Sequence, residues 1–196
     1  MKLVFVSMSV AALLFVSPAR AQDANDAAPE KDLAASARAA SIELGGKLKA
    51  RLEVALKDGG PQAALAVCKT AAPGIAADLS DSFGGKVGRT ALKVRNPENA
   101  PDVFEAAVLK RFVDEVSKGA DVSKLEHAEV VDVDGQRMFR YMKAIPMAAA
   151  PCAVCHGTAV APDVLQSIRD LYPDDQATGF KPGEIRGAFT VVKPLR

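Results

Sequence analysis

Apolar positions between residues 32 and 57 recur every three or four residues: Leu33, Ala37, Ala40, Leu44, Leu48, Leu52 and Leu56. That period is helical. It predicts one helix, weakened at Gly45-Gly46 and ended by Asp58-Gly59-Gly60. Pro61 then opens a second helix, at the position where its missing N–H is no loss. Leu65, Cys68, Ala72, Ile75 and Leu79 form one stripe on it, so Cys68 points inward with the apolar face. Pro73 removes one helical hydrogen bond, to the carbonyl of Lys69, and predicts a kink just after Cys68.

Gly84-Gly85 breaks the pattern. Lys86 to Val94 reads as a strand with imperfect alternation, and "RNPENAPD" as a turn-rich connector. Pro101 opens a helix striped by Phe104, Val108, Phe112 and Val116 and closed by Gly119. "HAEVVDV" and "QRMFRYMKAI" flank Asp134-Gly135, the signature of a two-residue hairpin turn. Asp163 to Tyr172 reads as a short helix after Pro162, and "EIRGAFTVVKPL" as a last strand. A leading helix pair is thus followed by strands that arrive mostly as neighbours. The expected class is α+β, a small antiparallel sheet flanked by helices.

The N-terminus obeys a different rule. Lys2, an apolar run from Leu3 to Val16, and Ala19-Arg20-Ala21 match a secretory signal peptide, residues 1–21, cleaved after Ala21. The run is too short for a membrane span, which needs about 20 apolar residues, and no later segment is apolar enough. Residues 22–31, rich in Ala, Asp and Asn, read as a flexible lead-in. Residues 32–196 then form a single domain, exported to an oxidising periplasm.

Charge is balanced at 25 basic against 24 acidic residues. Without a basic excess or stripe, a nucleic-acid binder is not expected. There is no Trp, so a bulky apolar cofactor would supply volume that the core lacks. The carboxylates are scattered and form no acid/base constellation, so an enzyme is not expected.

The densest chemistry lies at Cys152-Ala153-Val154-Cys155-His156. This fits C-x-x-C-H, the attachment signature of c-type haem. Cysteines three apart reach the two vinyl groups of one porphyrin, and the adjacent histidine meets the iron from one face. A structural zinc site needs four ligands, usually from two such pairs, and there is no second pair. A thioredoxin-like dithiol would follow a βαβ pattern and leaves the histidine unexplained. One covalent haem, anchored by Cys152 and Cys155 and ligated by His156, is the expectation.

The opposite face of the iron is less determined. Common small cytochromes place a methionine after the motif, but no Met, His or Cys follows His156. The candidates are Cys68, His127, Met138, Met142 and an open position. His127 starts a polar strand, and Met138 and Met142 suit core packing. Cys68 is the odd cysteine of an exported chain, left without a disulfide partner once Cys152 and Cys155 carry thioethers. It is equally readable as a small buried hydrophobe. Arg95, Arg140 and Arg186 each lie near a motif and are candidates for the haem propionates.

The ordered set "AVCKTAAPGIA", "VRNPENAPDVFE", "FRYMKAI", "PCAVCHG" and "GEIRGAFTVV" resembles the Tll0287-like family of periplasmic c-type haem proteins, over residues 39–196. The resemblance implies a PAS-like fold and a haem held by His and Cys, here His156 and Cys68. Ala144 stands where similar sequences tend to have Pro. The implied function is a redox or diatomic-gas sensor module that works with a redox or signalling partner. A soluble low-potential electron-transfer cytochrome is the alternative.

Overall fold

The computed structural model describes residues 19–195. The expected signal peptide lies outside them, apart from positions 19–21. Helix α1 spans Ala19–Phe83 and so includes the segment 22–31, for which composition predicts a flexible lead-in. Gly60 divides it, with φ 70° and ψ −165°, into the two expected helices. Gly60 alone in α1 leaves the helical dihedrals. The helix passes through Pro73, because a proline removes one bond without forcing its own φ out of the helical well. The residues around Pro73 keep helical dihedrals, and the break at Gly60 falls where Asp58-Gly59-Gly60 predicts the end of the first helix.

Strands β1 (Lys86–Thr90), β2 (Glu126–Val133), β3 (Gln136–Pro146) and β4 (Ile185–Pro194) form one antiparallel sheet in the order β1-β4-β3-β2. Asp134 (φ 55°) and Gly135 (φ 80°) make the predicted tight turn between β2 and β3. Strand β1 ends at Thr90, earlier than its sequence suggests, because the chain from Ala91 turns away to wall a cavity. Helix α2 (Val103–Ser117) starts just after Pro101, at a capping box. Asp102 accepts from the Glu105 backbone at 2.8 Å, and Glu105 accepts from the Asp102 backbone at 3.2 Å. Two short helices, α3 (Ala153–His156) and α4 (Pro162–Leu171), precede β4.

The sheet separates two cores. On one face Ala37, Leu44 and Leu79 of α1 cover Val87, Phe139, Tyr141 and Val191. On the other, Val108, Leu109 and Phe112 of α2 cover Met142, Ala144 and Ala188. The helical stripes read from the sequence are these buried faces. Arg38 of α1 is fastened to the sheet by Glu126, through Nε to Oε2 at 2.8 Å and a second guanidinium contact to Oε1. The Tyr141 hydroxyl donates to the same carboxylate at 2.8 Å.

Two predictions concern this packing. A Cβ on Gly46 meets nothing within 4 Å, whereas one on Gly45 would lie 2.8 Å from Phe189 Cζ. Gly46→Ala should therefore stabilise the protein by roughly 1 kcal/mol, the helix-propensity gain. Gly45→Ala should forfeit that gain and destabilise, as read by urea midpoints. The second concerns Glu126, whose pKa the Arg38 hydrogen bond pulls down to about 2. A folded pKa below the ordinary value adds stability at higher pH, lost as pH falls through about 2. Both side chains are partly solvated, so the contribution is about 1 kcal/mol. Glu126→Gln should lower stability by that amount at neutral pH and converge with wild type in strong acid.

Candidate functional site

Beyond the helix-covered part of the sheet lies a cavity of about 220 Å³. Both arms of α1 reach it, through Leu52 and Leu56 before Gly60 and Leu65 and Cys68 after it. The ends of β1, β3 and β4 form its floor, where Gly187 approaches so closely that a Cβ would sit 2.5 Å from the Thr90 carbonyl oxygen. Helix α3 closes one side with Cys152, Cys155 and His156. The three cysteines and His156, more than eighty residues apart at the extremes, therefore share one chamber.

Local geometry explains how α3 presents its side chains. The Cys152 carbonyl accepts from the Cys155 and His156 amides at 3.3 and 3.0 Å. The segment is one helical turn, and residues three and four apart lie on one side of a turn. Cys152, Cys155 and His156 therefore face together. All three cysteines are free thiols. Among the described residues, no three His, Cys, Asp or Glu side chains are close enough to hold a bare metal ion. The four residues thus surround a space rather than a point.

His156 is held from behind. Its Nδ1 lies 2.6 Å from the Ala177 carbonyl, a distance that requires Nδ1 to carry the proton and leaves the lone pair on Nε2. Burial, then the charges of Arg186 and Arg95, keep its pKa well below the usual value, so the ring is neutral at pH 7. The Phe180 amide donates to the His156 carbonyl at 3.0 Å, laying residues 177–180 alongside the motif. A neutral imidazole with a fixed tautomer is the form that binds a metal.

Arg95 ties these segments together. It pairs with Asp175 at 2.7 Å and donates to the carbonyls of Cys155 (2.7 Å) and Ala177 (3.2 Å). Arg95 and Asp175 side chains are only 8% and 7% exposed, so each depends on the other for neutralisation.

Other candidates from the sequence are elsewhere. His127 stacks on Phe104 and reaches Glu129. Met142 is buried beneath α2, and Met138 shares its face of the sheet. Arg140 pairs with Asp102 at 2.6 Å and lies 3.6 Å from Glu105, also on the α2 side. Arg186 does line the cavity. Sequence reading missed Arg89 and Tyr172, which line the cavity with Cys68. For Arg89 a signal exists: it follows Val87 by two on β1, so a charge occupies an inward-facing strand position.

Breaking a buried pair strands a charge, at a cost of about 3–5 kcal/mol. Asp175→Asn should lower stability on that scale, measured by urea unfolding. Lys118→Ala, which removes an exposed pair with Asp114, should leave stability essentially unchanged, because solvent screens such pairs.

Comparison with known proteins bears on the whole chain. No curated protein matches it. A solved structure does: the crystal structure of the cyanobacterial heme-protein Tll0287 superimposes with a TM-score of 0.56 at 22% identity, covering 92% of this chain and 98% of that one. At that identity the likeness establishes the α+β fold. The family model Tll0287-like matches residues 19–194, and the chain belongs to that family.

Proposed function

We propose that this protein is an exported mono-haem c-type cytochrome whose haem occupies the cavity, and that it serves as a redox or diatomic-gas sensor module. One observation carries the reading: Cys152, Cys155, His156 and Cys68 line the same chamber, although no pair of elements adjacent in sequence would bring them together. Cys152 and Cys155 would form the thioethers, His156 would ligate through Nε2, and Cys68 would ligate from the other side. The donor set suits the group, since the thiols are free, the imidazole is neutral and the enclosing wall is largely apolar. Export rests on the signal sequence. Among the described residues no helix is long and apolar enough to cross a membrane.

Haem supplies reversible one-electron chemistry and an affinity for diatomic ligands. The chain's residues divide the remaining work. His156 is fixed by Ala177 and by the loop that Arg95 holds. Cys68 sits on α1 beyond the Gly60 break, on an element distinct from the attachment loop. A thiolate there favours the oxidised state, so the reduction potential should be low. Its weaker hold after reduction would free a position for a gas. That release, reported to a partner protein, would be the sensing event.

Spectra of the oxidised, reduced and CO-treated protein test this, wild type beside Cys68→Ala. The variant should show a shifted Soret band and a raised midpoint potential, and wild type should bind CO only when reduced. A Cys68→Ala spectrum and potential identical to wild type would falsify the ligand assignment. A reversible couple with no CO binding would favour the electron carrier over the sensor.

A further inference from the structure

We infer that Arg89 and Arg186 form the carboxylate-binding end of the cavity and receive the two haem propionates, Arg89 being the principal partner. The inference rests on the haem reading proposed above. Three guanidinium groups line the chamber: Arg89, Arg95 and Arg186. They are not equivalent. Arg95 is neutralised by Asp175 and donates through Nη2 to two carbonyls. Its charge is therefore already answered within the chain.

Arg186 meets only neutral groups. It donates to the Lys93 carbonyl at 3.3 Å and lies over the Phe180 ring. Its Nε is 3.2 Å from His156 Nδ1. That nitrogen already carries the proton given to Ala177, so it has no lone pair to offer. Arg89 has neither a hydrogen bond nor an ion pair with any described residue. Two cations thus enter an enclosed, largely apolar space without an anion.

The ionisable groups facing the space from every side are Cys68 on α1, Cys152, Cys155 and His156 around α3, Tyr172 after α4, and Arg95 with Asp175. The only carboxylate among them is committed to Arg95. Charge balance therefore asks for an occupant with two negative groups on an otherwise apolar body. Haem is such a molecule, and a guanidinium fork matches a carboxylate in two parallel hydrogen bonds. The three arginines that the sequence suggested for this role are thereby sorted. Arg95 organises the loop, Arg140 lies on the far side of the sheet, and Arg186 remains, joined by Arg89.

The test uses the haem-loaded protein as wild type, Arg89→Leu and Arg89→Lys. Resonance Raman spectra read the propionate bending band, and redox titrations run from about pH 5 to about pH 9. In wild type the propionates should stay ionised and add no inflection to the potential. In Arg89→Leu the band should shift, and a new inflection should enter the window as the propionate pKa rises by about 1 to 3 units. Arg89→Lys keeps the charge but loses the fork, so its band should shift while the inflection stays out. If Arg89→Leu fails to fold, the Lys variant decides on the band alone. An unmoved band in folded, haem-loaded variants overturns the assignment of Arg89 and leaves the haem reading standing. A wild-type protein without haem absorbance overturns both.

Discussion

The buried pair between Arg95 and Asp175 is the interaction on which the site depends. A guanidinium and a carboxylate, both nearly inaccessible, cannot separate without stranding a charge. Their pairing fixes the connector after β1 against the loop before β4. The donors left over on Arg95 then hold the carbonyls of Cys155 and Ala177. Ala177 in turn sets the proton of His156 on Nδ1. A single charge thus controls the position of the attachment turn, the neighbouring strand-like segment and the tautomer of the imidazole. None of these segments belongs to a long helix or strand that would fix it independently.

The sheet gives this hub a frame by separating functions between its faces. On the α2 side Val108, Leu109 and Phe112 pack on Met142, Ala144 and Ala188, and the charges there are paired locally. Arg140 answers to Asp102 and Glu105, and Thr190 donates to Glu105 at 2.7 Å. The α1 side is covered only part-way. Past Gly60 the helix changes direction, and the space left beneath it is the cavity. A glycine with positive φ is the residue that makes such a break at little steric cost. The break falls where Asp58-Gly59-Gly60 predicts the end of the first helix, and Cys68 stands eight residues beyond Gly60.

What the sequence disclosed follows from the range over which its signals act. The stripe from Leu33 to Leu56, the Asp134-Gly135 turn and the capped α2 are local patterns, and each appears where the period or turn chemistry puts it. Cys152, Cys155 and His156 were legible as a group because they lie within five consecutive residues, and one helical turn keeps them on one side. Cys68 was legible as inward-facing because it shares a stripe with Leu65 and Leu79. The insertion of β4 between β1 and β3 has no local signature, since strand order is decided by long-range pairing. The role of Arg95 was equally hidden. Its partners lie 60 to 82 residues away in sequence, and nothing near it distinguishes a hub from an exposed arginine. Arg89 gave a faint sign, a charge at an inward strand position, whose meaning appears only when the cavity is seen.

The apolar residues around the cavity are divided among separate clusters. Leu65, Val164 and Ile168 form one, touched by Cys155; Met147, Ala177 and Phe180 form another, touched by Cys152. Protein interiors are ordinarily packed without voids larger than a water molecule, so a cavity of about 220 Å³ beside these clusters is room for a bulky group. On the haem reading, Cys152 and Cys155 would tie the cofactor to these two clusters. A chain with no Trp would thereby gain one large ring system in its centre. Binding energy would then be folding energy for everything from Pro151 to Phe180.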